Sequence, residues 1–381
     1  MINTLFDDLR PYNQEEIAPA MQRIADNEYF PILAQFIFPQ KDVEEVRNTI
    51  RQIRTTGEFQ QQIMYFFNQV VFERSVTSFT YDGLTYLDPA KRYLFISNHR
   101  DIVLDSALMQ YMLFINGFRT TEITFGDNLM SSQLIIDIGK SNKMFKVIRS
   151  KNMRDFYSNS LHLSQYIRHT IKEKHESVWI AQRGGRTKDG NDATDQGIIK
   201  MFCISEPDDL VRSADELNMV PVAISYQNET CDVLKTRELY LSRNEAKYIK
   251  QPYEDLNSIL TGITQPKGDI HIYISEPIRR TELEAIGYTQ PKEFYKALAA
   301  LIDKRIHKNY RLHNNNYIAS DIRSGKDTYA AHYTQEEKSA FIARTEEMLR
   351  QVEGEKDILK SIFLGIYANP VENQLRDNVR R

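Results

Sequence analysis

Apolar residues recur at helical spacing over the first 75 positions, switch to short β-rich runs from Tyr81, and return to helical spacing after Pro291. At the start, Asn13 and Glu16 form a capping pair ahead of Ile17, Met21 and Ile24, and Pro19 strains that helix at its first turns. A polar helix is expected around Asp42 to Ile53, followed by an apolar one through Ile63, Phe66, Phe67, Val70, Val71 and Phe72. Between the first helix and these, Phe30 to Pro39 reads as a short greasy loop or helix. It is too short to cross a bilayer, and serves either as an inward staple of the bundle or as an element that dips into a membrane surface.

The middle of the chain predicts strands at Tyr93–Ser97, Glu122–Gly126, Phe145–Arg149, Ser177–Gln182, Val220–Tyr226 and Asp269–Ser275. Helices are expected between them, notably over Asp101–Phe114 and Phe156–Lys174. This alternation argues for an α/β fold with a mixed, largely parallel central sheet flanked by helices. In the tail, Thr334 and Glu337 look like a capping box before a heavily charged helix that runs to about Val352. Its charges read most simply as a solvated face. The expected organisation is an N-terminal helical region over 1–75, an α/β domain over 76–310 and a helical C-terminal tail over 311–381.

Charge changes the picture by exclusion. With 49 Lys and Arg against 52 Asp and Glu, the net charge of −3 argues against a general attraction to nucleic acid. Cys203 and Cys231, the only cysteines, cannot staple a chain of 381 residues and fit a reducing compartment. No run of 18 apolar residues occurs, and the first 25 residues lack a charged-then-apolar signal pattern. A cytoplasmic protein is expected.

In an α/β sheet, ligands bind where strands turn into loops at their carboxyl ends. There the chain places Ser97-Asn-His-Arg-Asp-Ile-Val-Leu-Asp105, a histidine beside two carboxylates at the opening of a helix. His99 can accept a proton near neutral pH, and a carboxylate can orient its ring. Asp101 and Asp105 both offer that carboxylate, and Asp101 also has the position of a helix N-cap. No Gly-x-Ser-x-Gly elbow is present, so the histidine would activate a hydroxyl of the substrate. A second element, Arg183-Gly-Gly-Arg-Thr-Lys-Asp-Gly190, follows another strand and mixes glycines with three cations. Backbone amides and guanidinium forks in such a loop can approach a phosphate closely. No CxxC or HExxH pattern supports a metal site.

In order and spacing, these blocks resemble those of the glycerophospholipid acyltransferases, which include glycerol-3-phosphate and lysophosphatidate (1-acyl-sn-glycerol-3-phosphate) acyltransferases. Asn98 to Asp105 resembles the family's first block, Phe145 to Arg149 the second, Arg183 to Gly190 the third and Val220 to Tyr226 the fourth, which helps line the acyl channel. Gly268 to Ile278 resembles the closing strand with its Glu-Pro turn, so the likeness spans roughly residues 80 to 280. Two departures stand out: five residues rather than four separate His99 from Asp105, and Arg183-Gly184 replaces the third block's glutamate beside glycine.

The resemblance implies transfer of a fatty acyl group from acyl-CoA or an acyl carrier protein to a hydroxyl of glycerol 3-phosphate or lysophosphatidate, in phospholipid biosynthesis. His99 would be the base and Asp105 its orienting partner. Arg149, Arg183, Gly185, Arg186 and Lys188 would bind the acceptor, with no cofactor or metal. The enzyme would rest peripherally on the cytoplasmic face of a membrane. Three alternatives stay open on the residues: another hydroxyl-bearing lipid as acceptor, a non-catalytic membrane- or lipid-binding relative, and a phosphoesterase using His99, Asp101 and Asp105 as metal ligands.

Overall fold

The computed structural model describes residues 4–148, 153–243, 248, 251 and 253–379. Its centre is a seven-stranded sheet of β1 (Val76–Asp82), β2 (Leu94–Ser97), β3 (Glu122–Gly126), β4 (Met144–Val147), β5 (Val178–Ala181), β6 (Met219–Tyr226) and β7 (Gly268–Ile274). The strand order is β1-β7-β6-β2-β5-β3-β4. All neighbouring pairs are parallel except β6 with β7. The fold is therefore mixed α/β, and largely parallel.

Strands β2, β5 and β6 are buried along their whole length, as parallel strands covered on both faces must be. Side-chain alternation splits the core into two layers. Leu94, Ile96, Val178 and Ile180 pack with the helices Met153–Lys172, Gln196–Cys203 and Pro291–Asn309. Phe95, Trp179, Val222 and Ile224 face the helix Leu104–Ile115 on the other side. Both layers converge at the carboxyl ends of β2 and β5.

Helical regions flank the sheet. The first contains the helices Gln14–Ala25, Phe30–Ile37 and Val43–Gln52 around Ile17, Met21, Phe30 and Ile50. Residues 30–37 thus form a helix that buries Phe30 and Ala34 and exposes Ile32. The last contains Asn314–Ser324, Gln335–Gln351 and the C-terminal helix Lys356–Val379 around Ile318, Phe341, Phe363 and Tyr367. No helix among the described residues is long and apolar enough to cross a membrane.

Strand β1 is the one strand that periodicity does not mark. Its sequence, Val-Thr-Ser-Phe-Thr-Tyr-Asp, is rich in hydroxyls and lies at the sheet edge with no fully buried residue. It is specified by its parallel pairing with β7, about 190 residues further along the chain.

Candidate active site

The end of β2 turns directly into the helix Leu104–Ile115, and the turn is built by its own carboxylates. Asp101 Oδ1 accepts from the backbone amides of Val103 and Leu104, each at 2.9 Å, and so caps the helix entry. Asp101 Oδ2 has no hydrogen-bond partner among the described residues, and Gly262 lies so close that a Cβ there would stand 2.3 Å from it.

Asp105 is fully buried and receives four donors. Oδ2 accepts His99 Nδ1 at 2.9 Å and the amides of Arg100 and Asp101 at 2.7 and 2.9 Å. Oδ1 accepts the Tyr226 hydroxyl at 2.8 Å. Burial and the neighbouring Asp105 hold the Tyr226 phenol well above its usual range, so it stays a donor. With both carboxylate oxygens accepting, Nδ1 of His99 donates and Nε2 is the basic nitrogen of the neutral ring. The ring stands edge-on to Trp179, with centroids 6.2 Å apart.

Behind this turn lies a buried charge cluster. Arg100 is fully buried and pairs with Asp192 at 2.7 Å and Glu229 at 3.2 Å, while Lys235 meets Glu229 at 2.5 Å. Burial opposes the guanidinium charge, but Asp192 and Glu229 outweigh it and raise the Arg100 pKa well above its ordinary value. Lys235 Nζ also donates to the Arg100 carbonyl at 2.7 Å, which ties the cluster to the backbone next to His99.

His99 borders a cavity of about 450 Å³. One wall is apolar, formed by Phe125, Leu129, Val147, Ile148, Leu163 and Met201. The lining also carries Arg183, Gly184, Gly185 and Arg186. Arg183 has no ion-pair or hydrogen-bond partner among the described residues. Arg186 is buried, donates Nη2 to Ser258 Oγ at 3.2 Å and leaves Nη1 unpartnered. The amides of Gly184, Gly185 and Arg186 bond to no acceptor among the described residues. Gly185 sits at φ +82°, a left-handed conformation that lets successive amides converge as an anion-binding nest. Asp195 and Asp255 add acidic character at the edge of the cavity. Asp195 is engaged as a helix cap with Gly197, and Asp255 accepts from Asn128 at 3.2 Å.

His99, Asp105, Arg183, Gly185 and Arg186 therefore come together around one turn and one cavity. Lys188 does not join them. It is ion-paired with Glu238 and lines no part of the cavity. Arg149 lies outside the described residues. The fourth-block strand also differs from its expected place. Strand β6 lies on the far side of β2 from the cavity, which opens between β2, β5 and β3, so β6 contributes only Tyr226, through Asp105. Tyr226, Trp179 and Ser258 were not singled out as site residues. Only Tyr226 carries a signal, its position at the carboxyl end of a strand.

Of the amides from Arg100 to Leu104, four are spent on Asp101 and Asp105. Ile102, which lines the cavity, keeps an amide without an acceptor among the described residues.

No family model matches the chain, and no curated protein matches it in sequence. Among solved structures it is similar to the 1-acyl-sn-glycerophosphate (LPA) acyltransferase PlsC from Thermotoga maritima. The identity is 14% and the TM-score 0.34, over 75% of this chain and 92% of the other.

Proposed function

We propose that the protein is an O-acyltransferase that moves a fatty acyl group from a thioester to a hydroxyl of an anionic lipid precursor. One observation carries this reading: His99, with Nδ1 bound to Asp105, leaves Nε2 for a cavity whose lining combines apolar side chains with Arg183 and Arg186. The apolar wall suits an acyl chain. Arg183, Arg186 and the amides of 184–186 suit a phosphate, whose arrival would relieve the unsatisfied Nη1 of Arg186. The acceptor of that chemistry is glycerol 3-phosphate or lysophosphatidate, and the donor is acyl-CoA or an acyl carrier protein.

In the proposed reaction, Nε2 takes the proton of the acceptor hydroxyl as its oxygen attacks the thioester carbonyl carbon. The carbonyl oxygen becomes an oxyanion, and the free amide of Ile102 is the nearest unspent donor on the turn. Collapse breaks the C–S bond, and the proton passes from Nε2 to the departing thiolate. In this reading no acyl-enzyme forms, and the acceptor hydroxyl itself is the nucleophile that His99 activates. A lipid acceptor implies work at a membrane surface, as a peripheral protein of the cytoplasmic face.

The test is thiol release from a long-chain acyl thioester, with and without glycerol 3-phosphate or lysophosphatidate. Acceptor-dependent release is expected, reduced about a thousandfold in His99→Ala. Release that depends on neither acceptor, or that survives in the variant, would overturn the reading.

A further inference from the structure

The loop from Arg183 to Asp195 carries the cations of the site, yet the segment 183–186 has no backbone hydrogen bond of its own among the described residues. Its shape depends on how the rest of the loop is tied. The ends are joined by the Asp195 amide donating to the Gln182 carbonyl at 2.9 Å, and the Thr187 amide donates to the His99 carbonyl at 2.6 Å. From Asp189 to Asp192, the ties come from two places: Asn98 and Arg100, which hold the Asp192 carboxylate and the Gly190 carbonyl, and the C-terminal part of the chain.

The helix Lys356–Val379 presents Ile366, Asn369, Asn373 and Asp377 at spacings of three and four, a single helical face. All four act on this loop. Gly190, at φ +77°, lies so close to the helix that a Cβ would stand 2.1 Å from the Ile366 carbonyl oxygen. Asn369 Nδ2 donates to the Asp189 carbonyl at 2.7 Å, and Asn373 Nδ2 to the Gly190 carbonyl at 3.4 Å. Asp377 acts through His307, whose Nδ1 it meets at 2.6 Å while His307 Nε2 donates to the Asp192 carbonyl at 2.7 Å. Asp192 in turn holds Arg100 beside His99.

We propose that this helix shapes the anion-binding loop, and that Asn369 and the His307–Asp377 pair are positioning residues that keep the 183–186 segment in its anion-binding shape. The proposal rests on the acyl-transfer reading only in taking the anion to be the acceptor's phosphate. A polar stripe used for stability alone would serve as well on any surface. Here the Asn369 and Asn373 amide donors meet carbonyls of the site loop and Asp377 meets the histidine that does the same, while the two Asn oxygens accept from Arg323 and Arg376. Because the amides of 184–186 bond to no acceptor among the described residues, holding them in one shape beforehand lowers the cost of binding an anion.

The decisive variant is Asn369→Asp, which is isosteric and keeps the acceptor that Arg323 uses at 2.8 Å but loses the donor to Asp189. Hydrogen exchange of the 184–192 amides should quicken about tenfold, and KM for the anionic acceptor should rise about tenfold, with kcat and the thioester KM held within about twofold. Asn369→Gln, which retains a donor, should recover most of the loss, and exchange in β2 and β5 should not change. Unchanged loop exchange, an unchanged acceptor KM, or kcat and both KM values worsening together with a lowered Tm would overturn the proposal. Should the wild type acylate neither acceptor, the acyl-transfer reading fails by itself. Inorganic phosphate then decides for the helix: slowed exchange at 184–186 that is weakened in Asn369→Asp supports it. Equal slowing in both proteins, or slowing in neither, overturns it.

Discussion

The two helical regions that flank the sheet look alike in sequence and pack alike around small apolar cores, yet their polar atoms go to different places. The N-terminal region is fastened to the scaffold. Tyr12 and Arg23 bind Asp137 on the helix Gln133–Ser141, and Gln60 bonds Asn142 and Thr120 near the starts of β3 and β4. The Lys146 amide donates to the Leu9 carbonyl, extending the β4 edge. None of these atoms touches the His99 cavity. The groove between Phe38, Phe66 and Phe114 lies where the helix Leu104–Ile115 ends, about 18 Å from its beginning beside His99. The C-terminal region is fastened to Asp232 through Tyr367 and Arg344, and, unlike the N-terminal one, also to the loop that carries Arg183 and Arg186. The bearing of a flanking helix on chemistry is thus set by the acceptors it satisfies, and hydrophobic spacing does not reveal them.

Substitutions can break that contrast at graded strength. Gly190→Ala should be the most damaging, since a Cβ cannot fit against the Ile366 carbonyl and φ is left-handed. We expect a loss of about 3 kcal/mol or more in denaturant unfolding. Asp137→Ala, in the N-terminal fastening, leaves the Tyr12 and Arg23 donors without their acceptor and should cost about 2 kcal/mol. Acceptor KM in the folded Asp137→Ala protein should equal that of wild type, which steady-state kinetics checks. A raised KM there would erase the distinction between the two regions. Tyr226→Phe removes one of four donors to Asp105 and should cost about 1–2 kcal/mol of stability, with kcat lowered and acceptor KM unchanged. Lys188→Ala should matter least. Its pair with Glu238 is partly exposed and lies off the cavity, so less than about 1 kcal/mol and no change in acceptor KM are expected.

Much of the scaffold was legible because the central strands are short apolar runs bounded by helical stretches, and burial on both faces requires such runs. Six of the strands, and the capping box at Thr334 and Glu337, stand close to where the sequence suggests. Strand β1 was not legible, because an exposed edge strand needs no apolar pattern when its pairing with β7 defines it. The juxtaposition of His99 and Asp105 was readable because both lie within one strand-to-helix turn, where local geometry suffices. Lys188 shows the limit of that reasoning. It sits two residues from Arg186 in a basic loop, but its side chain follows Glu238, 50 residues away on another helix. Tyr226, Asn369 and Asp377 reach the site through pairings 121 to 180 residues long or through a second side chain, and no local motif encodes these.

The central claim is that a base and an anion grip of separate origin serve one cavity. The most direct test measures kcat and acceptor KM side by side for wild type, His99→Ala and Arg186→Ala. The account predicts that His99→Ala loses kcat about a thousandfold with acceptor KM little changed, while Arg186→Ala chiefly raises acceptor KM. Equal effects on the same parameter in both variants, or an active His99→Ala protein, would contradict it.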